Sequence, residues 1–191
     1  MKYSKTFVEL NKAIHDRATF DCGSVELNTF LQKHAFRHMK VGVSKTMVLP
    51  ALEILSNQKY PICSFYTVAP SSIQREILPQ NLSKSLPHYP VPVFLIAQLA
   101  VNTKVQRQQL GKATLIKALE FLWQVNQQMC AYAVVVDCIN GPVEKFYQKY
   151  GFLYLYKNQG KTRMFLPMKT LGQLFGDRKT FIRTQIITAP P

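Results

Sequence analysis

Asn140-Gly141-Pro142-Val143-Glu144-Lys145-Phe146-Tyr147-Gln148-Lys149-Tyr150-Gly151-Phe152 is the stretch whose reading decides the fold. Gly141-Pro142 opens a short helix, because proline's fixed φ suits a first turn whose N–H groups have no intrahelical acceptor. Gly151 ends it. Val143, Phe146 and Tyr150 share one face at helical spacing, and Tyr147 lies at the edge of that apolar stripe, where its hydroxyl could reach a cleft. On either side, Tyr132 to Cys138 reads as a buried strand, and Phe152 to Tyr156 and Arg163 to Met168 read as the last two strands.

Upstream, Val93-Phe94-Leu95-Ile96-Ala97-Gln98-Leu99-Ala100-Val101 is almost continuously apolar, as a central strand covered on both faces should be. A polar, basic connection runs from Asn102 to Gln109, and Leu110 to Gln127 has the apolar spacing of one long helix. That helix opens at Leu110-Gly111-Lys112-Ala113. Its N-terminus offers backbone N–H groups without intrahelical acceptors and the positive end of the peptide dipoles, which together suit a pyrophosphate. Read alone, both stretches have plainer explanations: a strand–loop–helix unit can be an ordinary connection, and Tyr147 a core aromatic with a satisfied hydroxyl.

The N-terminal half extends the alternation. Thr6 to Leu10 reads as a first strand, and Phe20 to Ser24 as a turn in which Asp21 or Ser24 caps a helix. In that helix Leu27, Phe30, Leu31 and Ala35 recur at helical spacing while Lys33, Arg37 and Lys40 project elsewhere, and Gly42 closes it. Lys45 to Leu49 and Ile62 to Val68 form a hairpin around Asn57. Residues 70–92, interrupted by Pro70, Pro79, Pro87, Pro90 and Pro92, hold at most a short helix over Ser71 to Leu78. The result is a mixed α/β fold in one domain over residues 1–170, with residues 171–191 a basic tail.

A length of 191 residues with 47% hydrophobic content supports one sizeable core. Its apolar runs fall well short of the roughly 20 residues a membrane-spanning helix needs. Lys2-Tyr3-Ser4-Lys5-Thr6 after Met1 has no apolar signal segment, so a cytoplasmic protein is expected. Cys22, Cys63, Cys130 and Cys138 are widely separated and show no ligand spacing with His15, His34, His38 or His88, which argues against a metal site or disulfide framework. Twenty-four Lys and Arg against ten Asp and Glu give a net charge of +14. That excess points to a polyanionic partner.

Together the two chemical elements resemble the GNAT acyltransferase superfamily. Its motif Arg/Gln-x-x-Gly-x-Gly/Ala aligns with Gln106-Arg107-Gln108-Gln109-Leu110-Gly111, and its Asn…Phe-Tyr-x-x-x-Gly-Phe with Asn140 and Phe146 to Phe152. Gln109 departs from the pattern at the first motif glycine. Glycine there lets backbone approach phosphates closely, so the side chain is expected to weaken acetyl-CoA binding or rearrange the loop. Phe20-Asp21-Cys22-Gly23 with Leu27-Asn28 and Phe30-Leu31, Tyr89-Pro90-Val91-Pro92-Val93 leading into Leu99-Ala100-Val101, and Met164-Phe165-Leu166-Pro167-Met168 narrow the resemblance to the GNAT toxins of bacterial toxin–antitoxin pairs.

The resemblance implies a mixed central sheet flanked by helices, with splayed central strands binding acetyl-CoA as cosubstrate and no metal. It assigns the backbone of Leu99, Ala100 and Val101 to the pantetheine arm, and Gln106, Arg107, Gln108, Gln109, Leu110, Gly111, Lys112 and Ala113 to the pyrophosphate. Asn140 adds a contact to the arm. It implies transfer of acetyl to the α-amino group of aminoacyl-tRNA, neutralisation by a ribbon-helix-helix antitoxin, and a homodimer. An α-amino group titrates near 7.7–8.0, so no strong base is required. The departing thiolate needs a proton, and the Tyr147 phenol can supply it. Lys33, Arg37, Lys40 and Lys45 are candidate tRNA contacts. Two rival functions are acetylation of protein or small-molecule amines, and a catalytically silent protein that binds RNA or a partner.

Overall fold

The computed structural model describes residues 1–176. Its elements are β1 (Val8–Glu9), β2 (His15–Asp16), α1 (Val25–Thr29), a π-helical turn (Phe30–His34), α2 (Ala35–Lys40), β3 (Lys45–Pro50) and β4 (Tyr60–Ile73), then a 3₁₀ turn (Arg75–Ile77), α3 (Gln80–Ser83) and β5 (Val91–Val101). A second 3₁₀ turn (Thr103–Val105), α4 (Leu110–Asn126), β6 (Ala133–Cys138), α5 (Gly141–Gln148), β7 (Leu153–Asn158) and β8 (Lys161–Pro167) follow, and residues 168–176 are helical. The strands form a mixed eight-stranded sheet in the order β1-β3-β4-β5-β6-β8-β7, with β2 beside β4. This is the layered α/β architecture expected from the alternation of elements.

The described residues fall into two compact units, residues 1–70 with 96–118 and residues 71–95 with 119–176. In the first, β3 pairs antiparallel with β4 from Lys45↔Val68 to Leu49↔Ser64, which is the expected hairpin. Leu31 and Ala35 are wholly buried against Phe20, Val48, Ile62 and Phe65. Phe20 and Phe65 meet edge to face at 5.3 Å, the arrangement that aromatic quadrupoles favour. In the second unit β6 pairs antiparallel with β8, placing Asp137 opposite Arg163. Asp137 is the exposed residue in an otherwise buried strand, and its carboxylate accepts two hydrogen bonds from the Arg163 guanidinium at 2.7 and 2.6 Å.

Four differences from the sequence reading have physical causes. The helix expected between Ser24 and Gly42 is interrupted by the π turn, which keeps Phe30 packed on Phe65 while bringing Leu31 and Ala35 inward. Ser71 to Leu78 is not a helix, since β4 continues to Ile73 and only Arg75–Ile77 turn. In β5 Val93, Phe94 and Ile96 are buried as expected, whereas Leu95, Leu99 and Val101 are half-buried and Ala97 is exposed. Residues 171–176, assigned above to the tail, belong to a helix in which Leu171 is wholly buried and Phe175 nearly so. Residues 177–191, the remainder of that tail, lie outside the described residues.

Candidate functional site

The first unit holds the connection from β5 to α4. Asn102, 4% exposed, anchors its start. Its backbone N–H donates to the Cys63 carbonyl (2.8 Å), its side-chain amide donates to the Ile62 carbonyl (3.3 Å), and its Oδ1 accepts from the Lys104 N–H (3.1 Å). At the other end Thr114 is wholly buried. Its hydroxyl donates to the Leu110 carbonyl (2.7 Å) and shares a hydrogen bond with Ser64 (3.0 Å), which fixes the first turn of α4 against β4.

Between these anchors Arg107 (φ 62°) and Gln109 (φ 61°) adopt left-handed backbone. Residues with a Cβ enter this region at a cost of about 1–2 kcal/mol each, and the anchors on both sides hold them there. Gln109 thus keeps, with a side chain attached, a conformation that glycine takes without strain. The Ala113 N–H donates to the Gln109 carbonyl at 3.1 Å. Gln109 is therefore the N-cap position, and the N–H groups of Leu110, Gly111 and Lys112 are those that the helix itself leaves without acceptors. Arg107, Gln108, Gln109, Lys112 and Ala113 are exposed. These N–H groups form a candidate anion cradle at the start of a long helix.

Gln106 behaves differently from its neighbours. Its side-chain amide donates to the Val101 carbonyl (2.9 Å) and the Cys22 carbonyl (3.1 Å), and its backbone N–H donates to the Thr103 carbonyl (3.4 Å). All three of its N–H protons face protein oxygens. Val101, the last of the three strand residues assigned to the arm, has its carbonyl occupied in the same way.

The second unit carries Asn140 and Tyr147. Asn140 is the N-cap of α5, its Oδ1 accepting from the Val143 N–H at 3.0 Å. Its amide protons are the part left to contact a ligand. Tyr147 is the buried residue of α5 at 7% exposure, whereas Val143, Phe146 and Tyr150 are half-buried. The expected order of burial on this helix is therefore reversed, with Tyr147 at the centre of the apolar face. Its ring meets Phe146 and Phe152 edge to face, each at 5.2 Å. Burial raises its pKa well above the usual phenol value, and the nearby Cys138 adds to the shift. The Cys138 thiol is itself pushed up to about 11 by burial and by the Glu144 and Asp137 carboxylates. Glu144 accepts from the Thr162 hydroxyl at 2.7 Å, tying the first turn of α5 to β8.

Of the candidate polyanion contacts, Lys33, Arg37 and Lys40 are exposed along the π turn and α2. Lys45 is also exposed, but its ammonium lies 2.7 Å from a Glu9 carboxylate oxygen. The sequence reading missed Asn102, Thr103 and Thr114, whose polar side chains flank the cradle. An Asn directly after an apolar strand was the available signal, because asparagine favours caps and turns.

Residues 80–152 match the acetyltransferase (GNAT) family. The chain is similar to probable toxin TacT of Sinorhizobium fredii, 27% identical over 170 residues spanning 85% of this chain and 90% of the relative. It is also similar to a tRNA-acetylating toxin of Mycobacterium tuberculosis, 26% identical over 162 residues spanning 85% and 92%. The crystal structure of a tyrosine-to-phenylalanine mutant of KacT has the same fold, with a TM-score of 0.82 at 25% identity, covering 92% of this chain and 100% of that one.

Proposed function

We propose that the chain is a GNAT acetyltransferase that transfers acetyl from acetyl-CoA to the α-amino group of an aminoacyl-tRNA, removing that tRNA from peptide-bond formation. The observation that carries the reading to tRNA is the similarity, over 85% of the chain, to a protein named a tRNA-acetylating toxin. A net charge of +14 supports it, since neutralising phosphates with Lys and Arg is the main source of affinity for nucleic acid.

The pyrophosphate of acetyl-CoA sits at the cradle of Arg107 to Ala113, where the backbone N–H groups opening α4 face it. Leu99 and Ala100 offer strand backbone to the pantetheine arm, and Asn140 its side-chain amide. The neutral α-amino nitrogen attacks the thioester carbonyl, the carbon–sulfur bond breaks, and the products are the acetylated amine and coenzyme A thiol. Tyr147 gives its proton to the departing sulfur as the new ammonium centre releases one. Its raised pKa keeps the phenol protonated through the working range, so it does not rest as phenolate, and recovery of the proton within the same step avoids forming one.

Lys33, Arg37 and Lys40 supply the basic face for the tRNA phosphates, with Lys45 secondary because Glu9 offsets its charge. The toxin reading carries with it a ribbon-helix-helix antitoxin as partner, a homodimeric assembly and action in the cytoplasm, where charged tRNA is used. The test is cell-free translation supplied with acetyl-CoA. Wild-type protein should arrest peptide synthesis and Tyr147→Phe should not; unaffected synthesis with active wild-type protein would count against the reading.

A further inference from the structure

The turn before α1 is stitched to the cradle, although the sequence places them some eighty residues apart. Gln106 donates to the Cys22 carbonyl at 3.1 Å across a separation of 84 residues, and its second amide proton goes to Val101. Thr103 donates to the Asp21 carbonyl twice, from its backbone N–H (2.8 Å) and its hydroxyl (3.2 Å). On the far side of the stitch the turn is internally braced. The Asp21 carboxylate accepts from the Gly23 N–H (2.9 Å) and the Asn28 amide (2.7 Å), while Asn28 Oδ1 accepts from the Cys22 N–H (2.9 Å). Ser24 then caps α1, accepting from the Leu27 N–H at 3.4 Å.

From this connectivity we infer that Gln106 is a positioning residue and not a phosphate ligand: it couples occupation of the Arg107–Ala113 cradle to ordering of the Asp21–Asn28 turn, and through α1 to the basic face of Lys33, Arg37 and Lys40. The inference rests on the cradle being the acetyl-CoA site. Gln106 has no N–H left for a phosphate, and its remaining amide oxygen has the wrong sign. It directly precedes the left-handed Arg107, so whatever immobilises the cradle immobilises Gln106. Both Gln106 and Thr103 are exposed. Their exposed bonds to Asp21 and Cys22 compete with water and strengthen when a ligand holds the loop, which is coupling through order and not through displacement.

Hydrogen exchange with and without saturating acetyl-CoA tests this, with binding followed by calorimetry. In the wild type, amides in the peptides covering both 101–113 and 20–28 should slow, the latter about 5- to 10-fold, the size of one net hydrogen bond. Gln106→Met keeps the side-chain length without donors. It should retain the acetyl-CoA effect on 101–113 and lose it on 20–28, and it should weaken binding of charged tRNA to the acetyl-CoA-loaded protein about 5- to 10-fold, and by linkage binding of acetyl-CoA to the tRNA-loaded protein by the same factor, while the calorimetric Kd for acetyl-CoA without tRNA stays within about twofold of wild type. Absence of acetyl-CoA binding would overturn the cradle assignment together with the inference. Binding that protects 101–113 but not 20–28 in the wild type would overturn the inference alone. Should Gln106→Met fail to fold, the wild-type comparison still decides.

Discussion

Replacing Gln109 by glycine and by valine separates backbone strain from side-chain function. Gln109 is exposed and sits at φ 61°. Glycine removes about 1–2 kcal/mol of left-handed strain and returns about 0.4–1 kcal/mol through the freer unfolded chain. Gln109→Gly should therefore be neutral to stabilising, between about 0 and 1.5 kcal/mol, or up to about 5 °C in Tm for a chain of this size. Valine is β-branched and tolerates φ > 0 poorly, so Gln109→Val should destabilise by about 1–2 kcal/mol or turn the loop out of its left-handed state. Calorimetric titration follows the same order. Acetyl-CoA should bind Gln109→Gly at least as tightly as the wild type and Gln109→Val about tenfold more weakly, which corresponds to about 1.4 kcal/mol. Urea denaturation and titration of the three proteins suffice. A glycine variant clearly less stable than the wild type, or a valine variant that matches it in both assays, would refute the argument that strain at Gln109 is held by its flanking anchors.

Tyr147→Phe retains the aromatic contacts to Phe146 and Phe152 and should keep stability and acetyl-CoA affinity while lowering turnover by about 10²–10⁴-fold; wild-type turnover would remove Tyr147 from the chemistry. The same variant has a signature at high pH. The folded pKa of Tyr147 is raised by burial, so its contribution to stability is complete below the unfolded value near 10 and is lost as pH rises through the folded value. Above about pH 10 the wild type should lose stability relative to Tyr147→Phe at about 1.4 kcal/mol per pH unit, and parallel denaturation curves would show that the phenol is not buried in solution. Reversing Lys33, Arg37 and Lys40 to Glu together should weaken charged-tRNA binding and reduce the slope of log K against log salt by about 2, whereas Lys45→Gln should change it less. An unchanged slope in the triple variant would move the tRNA to another face.

Much of the architecture was legible because the periods are strong. The hairpin of β3 and β4, the long helix α4, the buried β6 and the Gly-Pro start of α5 all lie where alternation, helical spacing and turn residues put them. What escaped has no local signal. Nothing in Phe30 to His34 distinguishes an i→i+5 turn from a continuous helix, and Ser71 to Ile73 stay extended because β4 is still paired, not through any preference of serine. Tyr147 was placed at the edge of its stripe because Val143, Phe146 and Tyr150 outweigh it on a helical wheel, yet the face that packs inward is set by what α5 meets. The start of α4 after a polar loop followed from helix position, but the bridge from Gln106 to Cys22 spans 84 residues and becomes visible only when the chain is folded.

Transfer of isotopically labelled acetyl from acetyl-CoA to a pool of charged tRNAs, with the product identified by mass spectrometry after release of the amino acid, tests the central claim most directly. The account predicts label on the α-amino nitrogen of the released amino acid, none on uncharged tRNA, and loss of labelling with Tyr147→Phe. Binding of acetyl-CoA without label on any charged tRNA, together with label on protein or polyamine amines, would contradict it.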